Sequence, residues 1–202
     1  MSTTVKTSNN GETAVAGQEL LAKYVGDMAA LESHIEEALD RQLGMAKGDT
    51  AVGPLVREFH DTVRDQRNRI IELRDSLGST GGNPIKEVGT TILGRAAGII
   101  DKVRADGLSK ALRDDYAAFS LAAISYSMLY TTAKGVGSSE VASAAQTGLS
   151  NYARALQKIN QVMPDVVVAE LADEDGMTAI QGVADETRRM VDTAWKSADQ
   201  SS

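Results

Sequence analysis

Acidic and histidine side chains of the first half of the chain are of the types that bind hard metal ions or move protons. They are Glu32, His34, Glu36, Glu58, His60, Asp61 and Asp65. A carboxylate-bridged metal site needs such oxygen and imidazole ligands at helical spacing, facing the interior of a bundle. The same residue types also solvate the outside of helices. The residues therefore support two interpretations: a one-sided metal site, or solvated helix surfaces with His34 and His60 on the surface or flank.

Other chemistries have no support in the residues. The chain contains no cysteine, which excludes thiolate metal sites and thiol catalysis. No glycine-rich dinucleotide motif follows a strand pattern, and neither a Walker sequence nor a Gly-x-Ser-x-Gly elbow occurs. We therefore expect no catalytic residues and no cofactor, which favours a protein that is not an enzyme.

Charge and composition restrict the partners and the location. The chain has 202 residues, a formal net charge of -7 and a sequence pI near 4.9. Such an acidic surface repels nucleic-acid phosphates and anionic lipid, so neither is expected as a partner. The opening "MSTTVKTSNNGETAVAG" lacks the apolar region of a signal peptide and indicates a flexible tail. The expected location is the cytoplasm.

Apolar residues recur at steps of three and four along four long segments, which predicts helices that must position any site. The predicted helices span 18–45, 55–77, 108–132 and 138–163. The chain between the second and third predicts a crossover with a short, glycine-containing helix at 85–99. Pro164 is expected to interrupt or kink the fourth helix, and the segment "VVVAELADEDG" after it is expected to continue to Gly176. A last amphipathic helix is predicted at 177–198.

These elements predict an all-α fold, an antiparallel four-helix bundle with a long crossover and an extra C-terminal helix. The predicted organisation is a flexible tail at 1–17, the bundle at 18–163, and a C-terminal amphipathic helix and tail at 164–202. The third helix carries no charged residue from Tyr116 to Ala133. Its serines, threonines and tyrosines, and the lack of an adjoining basic cluster, favour a helix buried on several sides over a membrane span.

Polar residues inside the predicted seams indicate a buried polar layer. Thr62 and Gln66 interrupt the seam of the second helix, and Glu32 lies close to the seam of the first. A buried Glu32 needs a hydrogen-bond partner, and Gln66 or Thr62 could supply it. The tyrosines Tyr116, Tyr126, Tyr130 and Tyr152 could line a small cavity, or could be core residues whose hydroxyls reach the helix ends. The "RDQRNR" segment at 64–69 is expected to be a solvated face.

Three segments, together with the helix lengths, resemble a known family over residues 18–163. The segments are "LLAKYVGDMAALESHIEEAL", "RNRIIELRDSLG" and "TTAKGVG". They are similar to the ferritin-like stress-response family typified by the YciE and YciF proteins. The resemblance implies a dimeric ferritin-like bundle that can hold a di-iron site, and it places the family's first-helix glutamate on Glu32.

The other ligand positions of that family fall on unsuitable residues of this chain. They lie near Thr62, Gln66, Phe119, Ala122 and Tyr152. The third helix has no carboxylate or histidine from Tyr116 to Ala133, and the fourth has none from Val141 to Met163. The expectation is therefore a degenerate site without metal. The alternative is an iron-handling protein with an atypical, incomplete carboxylate site made from Glu32, His34, Glu58, His60 and Asp65.

The function that the sequence favours is a non-catalytic bundle that acts through protein contacts or self-assembly, as a homodimer or larger oligomer. A stress-related role follows only from the resemblance. The last helix carries an apolar stripe that needs either the bundle or a protein partner to cover it. The predicted interaction residues are Ile180, Val183, Val191 and Trp195. A third class is a structural or cargo-type subunit recruited through this tail.

Overall fold

The computed structural model describes residues 9–80, 107–173, 177–178 and 180–200, and within them it contains helices and no strand. The helices are α1 (Asn9–Met45), α2 (Val52–Thr80), α3 (Leu108–Gly135), α4 (Ser139–Asp173) and α5 (Val183–Gln200). The predicted all-α class is confirmed. The short helix predicted at 85–99 lies outside the described residues.

Contacts between the helices establish the topology of the bundle. Gln42 and Glu32 of α1 bond Asp115 and Tyr126 of α3, so residue numbers rise on one helix as they fall on the other. Ion pairs join α2 to α4 in the same antiparallel sense, since Glu58 meets Lys158 and Arg69 meets Glu140.

The direction of α2 follows from its contacts with α1. His60 lies beside Asp40, and Arg67 pairs with Glu36, so these two helices are also antiparallel. Because α2 and α3 both run opposite to α1, they are parallel to each other. Residues 81–107 must therefore connect opposite ends of the bundle, roughly 40 Å apart for helices of this length. This is the long crossover of a ferritin-like bundle.

The predicted seams form the core. Leu21, Ile35, Ile70, Leu112 and Ile159 are each at most 2% exposed, and they come from all four bundle helices. Each apolar stripe of these helices is covered by two neighbouring helices, which is why a pattern with steps of three and four suffices to specify the bundle.

The first and last helices of the bundle extend beyond the bounds predicted for the bundle, 18–163. The tail predicted at 1–17 is helical from Asn9 onward, and a methyl group added at Gly17 would lie 3.0 Å from the Val136 side chain. The glycines and asparagines there have low helix propensity, but contact with the α3–α4 turn favours the helix. The fourth helix continues through Pro164 to Asp173. Pro164 and Val166 are buried, so packing on both sides of the proline compensates for its missing backbone donor.

The start of α3 is capped by a residue distant in sequence. Gly107, at the N-cap, has φ 118 and makes no side-chain capping bond. Instead, the Glu170 carboxylate of α4 accepts hydrogen bonds from the Ser109 backbone N–H at 2.8 Å and from the Ser109 hydroxyl at 2.5 Å. A carboxylate at a helix N-terminus satisfies unpaired donors and the helix dipole. The contact also fixes where α3 begins against α4.

The uncharged stretch of α3 has two faces. Phe119, Ala122, Tyr126 and Leu129 are buried, whereas Ile124 is 58% exposed. The expectation that this helix is buried on several sides is therefore wrong for its outer face. Among the described helices, none combines the length and apolarity that a membrane span needs.

Candidate functional site

One polar side chain from each bundle helix meets at the centre of the core. These residues are Glu32 of α1, Gln66 of α2, Tyr126 of α3 and Tyr152 of α4. Glu32 is fully buried, and its two carboxylate oxygens accept hydrogen bonds from different tyrosine hydroxyls. The Tyr152 hydroxyl donates to Oε2 at 2.6 Å, and the Tyr126 hydroxyl donates to Oε1. We call this set the central polar layer.

The environment of the central polar layer shifts the pKa of each acid in it. Burial raises the pKa of Glu32 to about 7, because a charged carboxylate loses its hydration. The two tyrosine hydroxyls partly oppose this by stabilising the anion, and nearby Glu36 raises the pKa further. Burial and the charge of Glu32 both raise the pKa of Tyr126 and Tyr152 well above its ordinary value. The tyrosines therefore remain neutral donors while Glu32 titrates near neutral pH.

Sequence reasoning placed Glu32 and Gln66 in the layer but assigned the wrong partners. The partner expected for Glu32 was Gln66 or Thr62, whereas its carboxylate accepts hydrogen bonds from Tyr126 and Tyr152. Neither of these hydroxyls reaches a helix end. Gln66 instead donates to the Ala144 carbonyl at 3.4 Å. Thr62 is half-buried and lines a cleft beside the layer. A tyrosine on an otherwise aliphatic seam was the available signal, because its hydroxyl needs a buried partner.

Space for Tyr126 depends on a glycine of α4. A methyl group added at Gly148 would lie 2.5 to 2.7 Å from three atoms of the Tyr126 ring. The ring of Tyr152 is stacked beside that of Tyr126, with centroids 5.9 Å apart. The position of the Tyr126 hydroxyl against Glu32 therefore rests on the close approach of this ring to the backbone of α4.

A second buried carboxylate lies between α1 and α3. Gln42 Nε2 donates to Oδ1 of Asp115 at 2.7 Å, and both residues are at most 4% exposed. Burial raises the pKa of Asp115 to about 7. Within the described residues, neither Oδ2 of Asp115 nor Oε1 of Gln42 has a hydrogen-bond partner. Sequence reasoning missed this pair, although Asp115 continues the seam from Leu112 to Phe119 at steps of three and four.

The remaining charged residues near the core form pairs. His60 was expected on the surface or flank, but it is 8% exposed, with Nε2 at 2.9 Å from Asp40. Glu36 is buried and pairs with Arg67. Arg67 belongs to the "RDQRNR" segment, so that segment is not wholly solvated. The cause in both cases is the tight α1–α2 contact, which covers residues at the edges of the two seams.

The candidate metal ligands do not converge. His34 is half-buried, Glu58 and Asp65 are exposed, and Glu58 pairs with Lys158 instead. Within the described residues, no group of three or more His, Asp or Glu side chains could hold a metal ion. At the central polar layer Glu32 stands among Tyr126, Tyr152 and Gln66. One carboxylate, with both oxygens already bonded to hydroxyls, does not fit a di-iron centre, which needs bridging carboxylates and histidines.

The predicted interaction residues divide into two groups. Val183 and Val191 of α5 are half-buried, and Val191 lines a groove between α5 and the bundle with Tyr116 and Leu156. Ile180 and Trp195 remain 81% and 59% exposed. The bundle thus covers part of the stripe, and the other part stays accessible.

No family model matches the chain, and no curated protein matches it. Solved structures do resemble it. A protein from Xanthomonas campestris pv. campestris is 19% identical with a TM-score of 0.63, over 78% of this chain and 97% of that one. Dps from Thermosynechococcus elongatus is 13% identical with a TM-score of 0.51, over 83% of this chain and 99% of that one. At these identities the likeness shows the fold alone, and it supports a ferritin-like all-α bundle.

Proposed function

We propose that this protein is a non-catalytic ferritin-like bundle that acts through protein contacts, first of all with a second copy of itself. The observation that carries the proposal is an uncharged outer face on α3. Its members are Ala117, Leu121, Ile124, Met128 and Thr131. Ile124 and Met128 are 58% and 45% exposed. We call these five residues the α3 stripe.

Charge favours a second copy as the occupant of the α3 stripe. The chain carries a net charge of -7, so most surfaces of two copies repel each other. A two-fold contact brings the same patch of both subunits together, so the patch must complement itself. The α3 stripe meets this condition because no residue from Tyr116 to Ala133 is charged. Apolar side chains there gain by leaving water, and no like charges are forced together.

The native mass tests the proposal. At micromolar concentration we expect twice the chain mass of 21.4 kDa in light scattering. Ile124→Glu should convert the protein to a monomer, because each subunit would place a carboxylate against its symmetry mate. Val167→Glu is the matched control, since Val167 is a 39% exposed apolar residue on α4. A monomeric parent protein, or a dimer that survives Ile124→Glu, would exclude this interface.

The C-terminal helix supplies the competing contact surface. Met190 and Trp195 on α5, with Ile180 before it, are more than half exposed. Charged residues such as Arg189 and Lys196 adjoin them in the sequence, and this mixed surface suits a partner with a different surface better than a second copy of the chain. After deletion of the residues that follow Asp173, the protein should still be a dimer, with twice the mass of the shortened chain. A dimer lost on this truncation but retained in Ile124→Glu would assign self-assembly to the C-terminal segment.

A protein of this kind carries no stoichiometric iron, in contrast to the alternative of an incomplete carboxylate site. The proposal is supported by the bonding of both Glu32 oxygens to Tyr126 and Tyr152. Elemental analysis of purified protein and melting with and without ferrous iron test it. About two irons per chain, lost in Glu32→Ala and kept in the exposed control Glu37→Ala, would establish the metal-binding alternative. A stress-related role rests on the family resemblance and is proposed only to that extent.

A further inference from the structure

A cleft of about 280 Å³ lies between α2 and α4, beside the central polar layer. Ion pairs join the two helices on either side of the cleft, Arg69 with Glu140 and Lys158 with Glu58. Pockets that hold drug-sized ligands measure roughly 300 to 1,000 Å³. A cleft of this volume suits a molecule of one or two rings.

Aromatic rings form much of the inner wall of the cleft. Phe119 lies in an edge-to-face contact with Phe59, with centroids 5.2 Å apart, and its centroid is 5.3 Å from that of Tyr152. Val63 and Ala155 add aliphatic surface. Phe119 is fully buried behind the other two rings, and Phe59 and Tyr152 are each 3% exposed, so only small edges of these two rings face the cleft. The wall therefore favours an apolar body that is thin enough to enter between the two helices.

Polar groups at the depth of the cleft are weakly paired. Gln66 is 5% exposed, and besides its side-chain hydrogen bond with Tyr126 its amide makes two of 3.4 Å, to the Ala144 carbonyl and from Asn151 Nδ2. Both exceed the usual range of about 2.7 to 3.2 Å for such bonds. A buried amide with long bonds gains when a polar ligand atom offers a shorter one.

The rim of the cleft is cationic on an otherwise acidic protein. Its charged side chains are Glu58, Arg154 and Lys158. The Glu58–Lys158 ion pair balances two of them, which leaves the positive charge of Arg154. Arg154 donates from one amino nitrogen to Asn151 Oδ1 at 2.5 Å, and a guanidinium carries five N–H donors in all. The rim can therefore receive one anionic group in charge-assisted hydrogen bonds.

We propose that this cleft is a binding site for a small aromatic carboxylate. The flat ring lies beside Ala155 and against the accessible edges of Phe59 and Tyr152, and the carboxylate meets Arg154 at the rim. A ring heteroatom or substituent bonds the Gln66 amide. The site is independent of self-assembly, because its lining comes from α2, α4 and the buried face of α3 and includes no residue of the α3 stripe.

Titration calorimetry with indole-3-carboxylate and neutral indole tests the class of ligand. We expect saturable binding of indole-3-carboxylate with a dissociation constant on the order of 0.1 mM, as suits a dozen heavy atoms. Arg154→Gln should weaken it about tenfold and leave indole unchanged, because only the carboxylate uses the guanidinium. Arg113→Gln, at an exposed arginine of α3, is the control that should change neither.

A variant that fills the cleft tests where the ligand binds. Ala155→Phe places a ring in the cleft and should abolish binding, whereas Ala153→Phe faces the groove toward α5 and should not. Amide chemical shifts of the unmodified protein give a second measurement that needs no variant. They should move on α2 and α4 around Val63 and Ala155. The proposal is overturned if indole-3-carboxylate does not saturate at millimolar concentration, if its shifts cluster elsewhere, or if folded Ala155→Phe still binds.

Discussion

Two of the carboxylates that the bundle buries, Glu32 and Asp115, lose their hydration to a similar degree but have different hydrogen-bond partners. Glu32 and Asp115 are at most 4% exposed, and burial raises the pKa of both to about 7. Glu32 receives two tyrosine hydroxyls, one for each oxygen. Asp115 receives only the Gln42 amide, and its Oδ2 has no partner within the described residues. The two sites lie about 15 Å apart along α1, since ten residues separate Glu32 from Gln42.

The number of hydrogen-bond donors at each carboxylate determines which protonation state its site accommodates. An ionised carboxylate is acceptor-only, and two donors aimed at Glu32 satisfy that form. At Asp115 the two unpaired atoms are both oxygens, Oδ2 of Asp115 and Oε1 of Gln42. A proton on Oδ2 would give Gln42 the donor that it lacks, so that site favours the neutral acid. A buried polar group left unpaired costs about 1–3 kcal/mol, enough to separate the two sites.

The pH dependence of stability should show the largest effect. The ordinary pKa is 4.5 for Glu32 and 3.8 for Asp115, and in the folded chain both are raised to about 7. Between its ordinary and its raised pKa, each carboxyl keeps a proton in the folded chain that it has released in the unfolded chain. The stability that the two groups contribute is therefore fully present below their ordinary pKa values and is lost as pH rises through about 7. The loss is on the order of 3 kcal/mol for each group.

Urea denaturation followed by circular dichroism at a series of pH values measures this dependence. The comparison is between the parent protein and the double variant Glu32→Gln, Asp115→Asn, because all other titrating groups are common to both. Subtracting the two profiles should leave a fall in stability toward neutral pH. A flat difference profile would show that neither carboxylate has a raised pKa in the folded chain.

Gly148→Ala should have the next largest effect on stability, and it changes the central polar layer without changing the Asp115 site. The added methyl group would overlap the Tyr126 ring, which must shift away from Glu32. Overpacking of this kind costs roughly 1–3 kcal/mol, so we expect Gly148→Ala to lower the free energy of unfolding by about 2 kcal/mol, as measured by urea denaturation. Gly44→Ala is the control, since nothing lies within 4 Å of a methyl group there and alanine favours a helix. Equal stability of Gly148→Ala and the parent would contradict the close approach.

Amide substitutions should separate the two sites by the smallest difference. Above pH 7 both remove a buried charge, so both should stabilise the protein relative to the parent. Asp115→Asn also supplies an N–H for Gln42 Oε1, whereas Glu32→Gln loses an acceptor for a tyrosine hydroxyl, so the gain at Asp115 should be larger by about 1 kcal/mol. Melting at pH 8 measures both. Destabilisation by Asp115→Asn would mean that the charged form is the one that its site accommodates.

Much of the bundle could be predicted because helix periodicity is a local property of the chain. The steps of three and four through Leu21, Ile70 and Ile159 placed these residues in the core, where they lie. The helix at 9–17 and the uninterrupted passage of α4 through Pro164 could not be predicted, because packing against Val136 and the burial of Pro164 offset unfavourable local propensity. His60 was misplaced for a related reason, since its burial comes from the approach of α1 to α2.

The amino-acid pattern specifies the helices, their interior faces and the residue types available inside, including the lack of carboxylates and histidines from Tyr116 to Ala133. Which polar groups meet depends on the packing of the helices against one another. Glu32 is 94 and 120 residues from the tyrosines that it bonds, and Asp115 is 73 from Gln42. Periodicity reports which side of a helix faces inward, but it carries no information on the register between helices. That register follows from packing of the whole core, and it decides whether a buried acid has two donors or one.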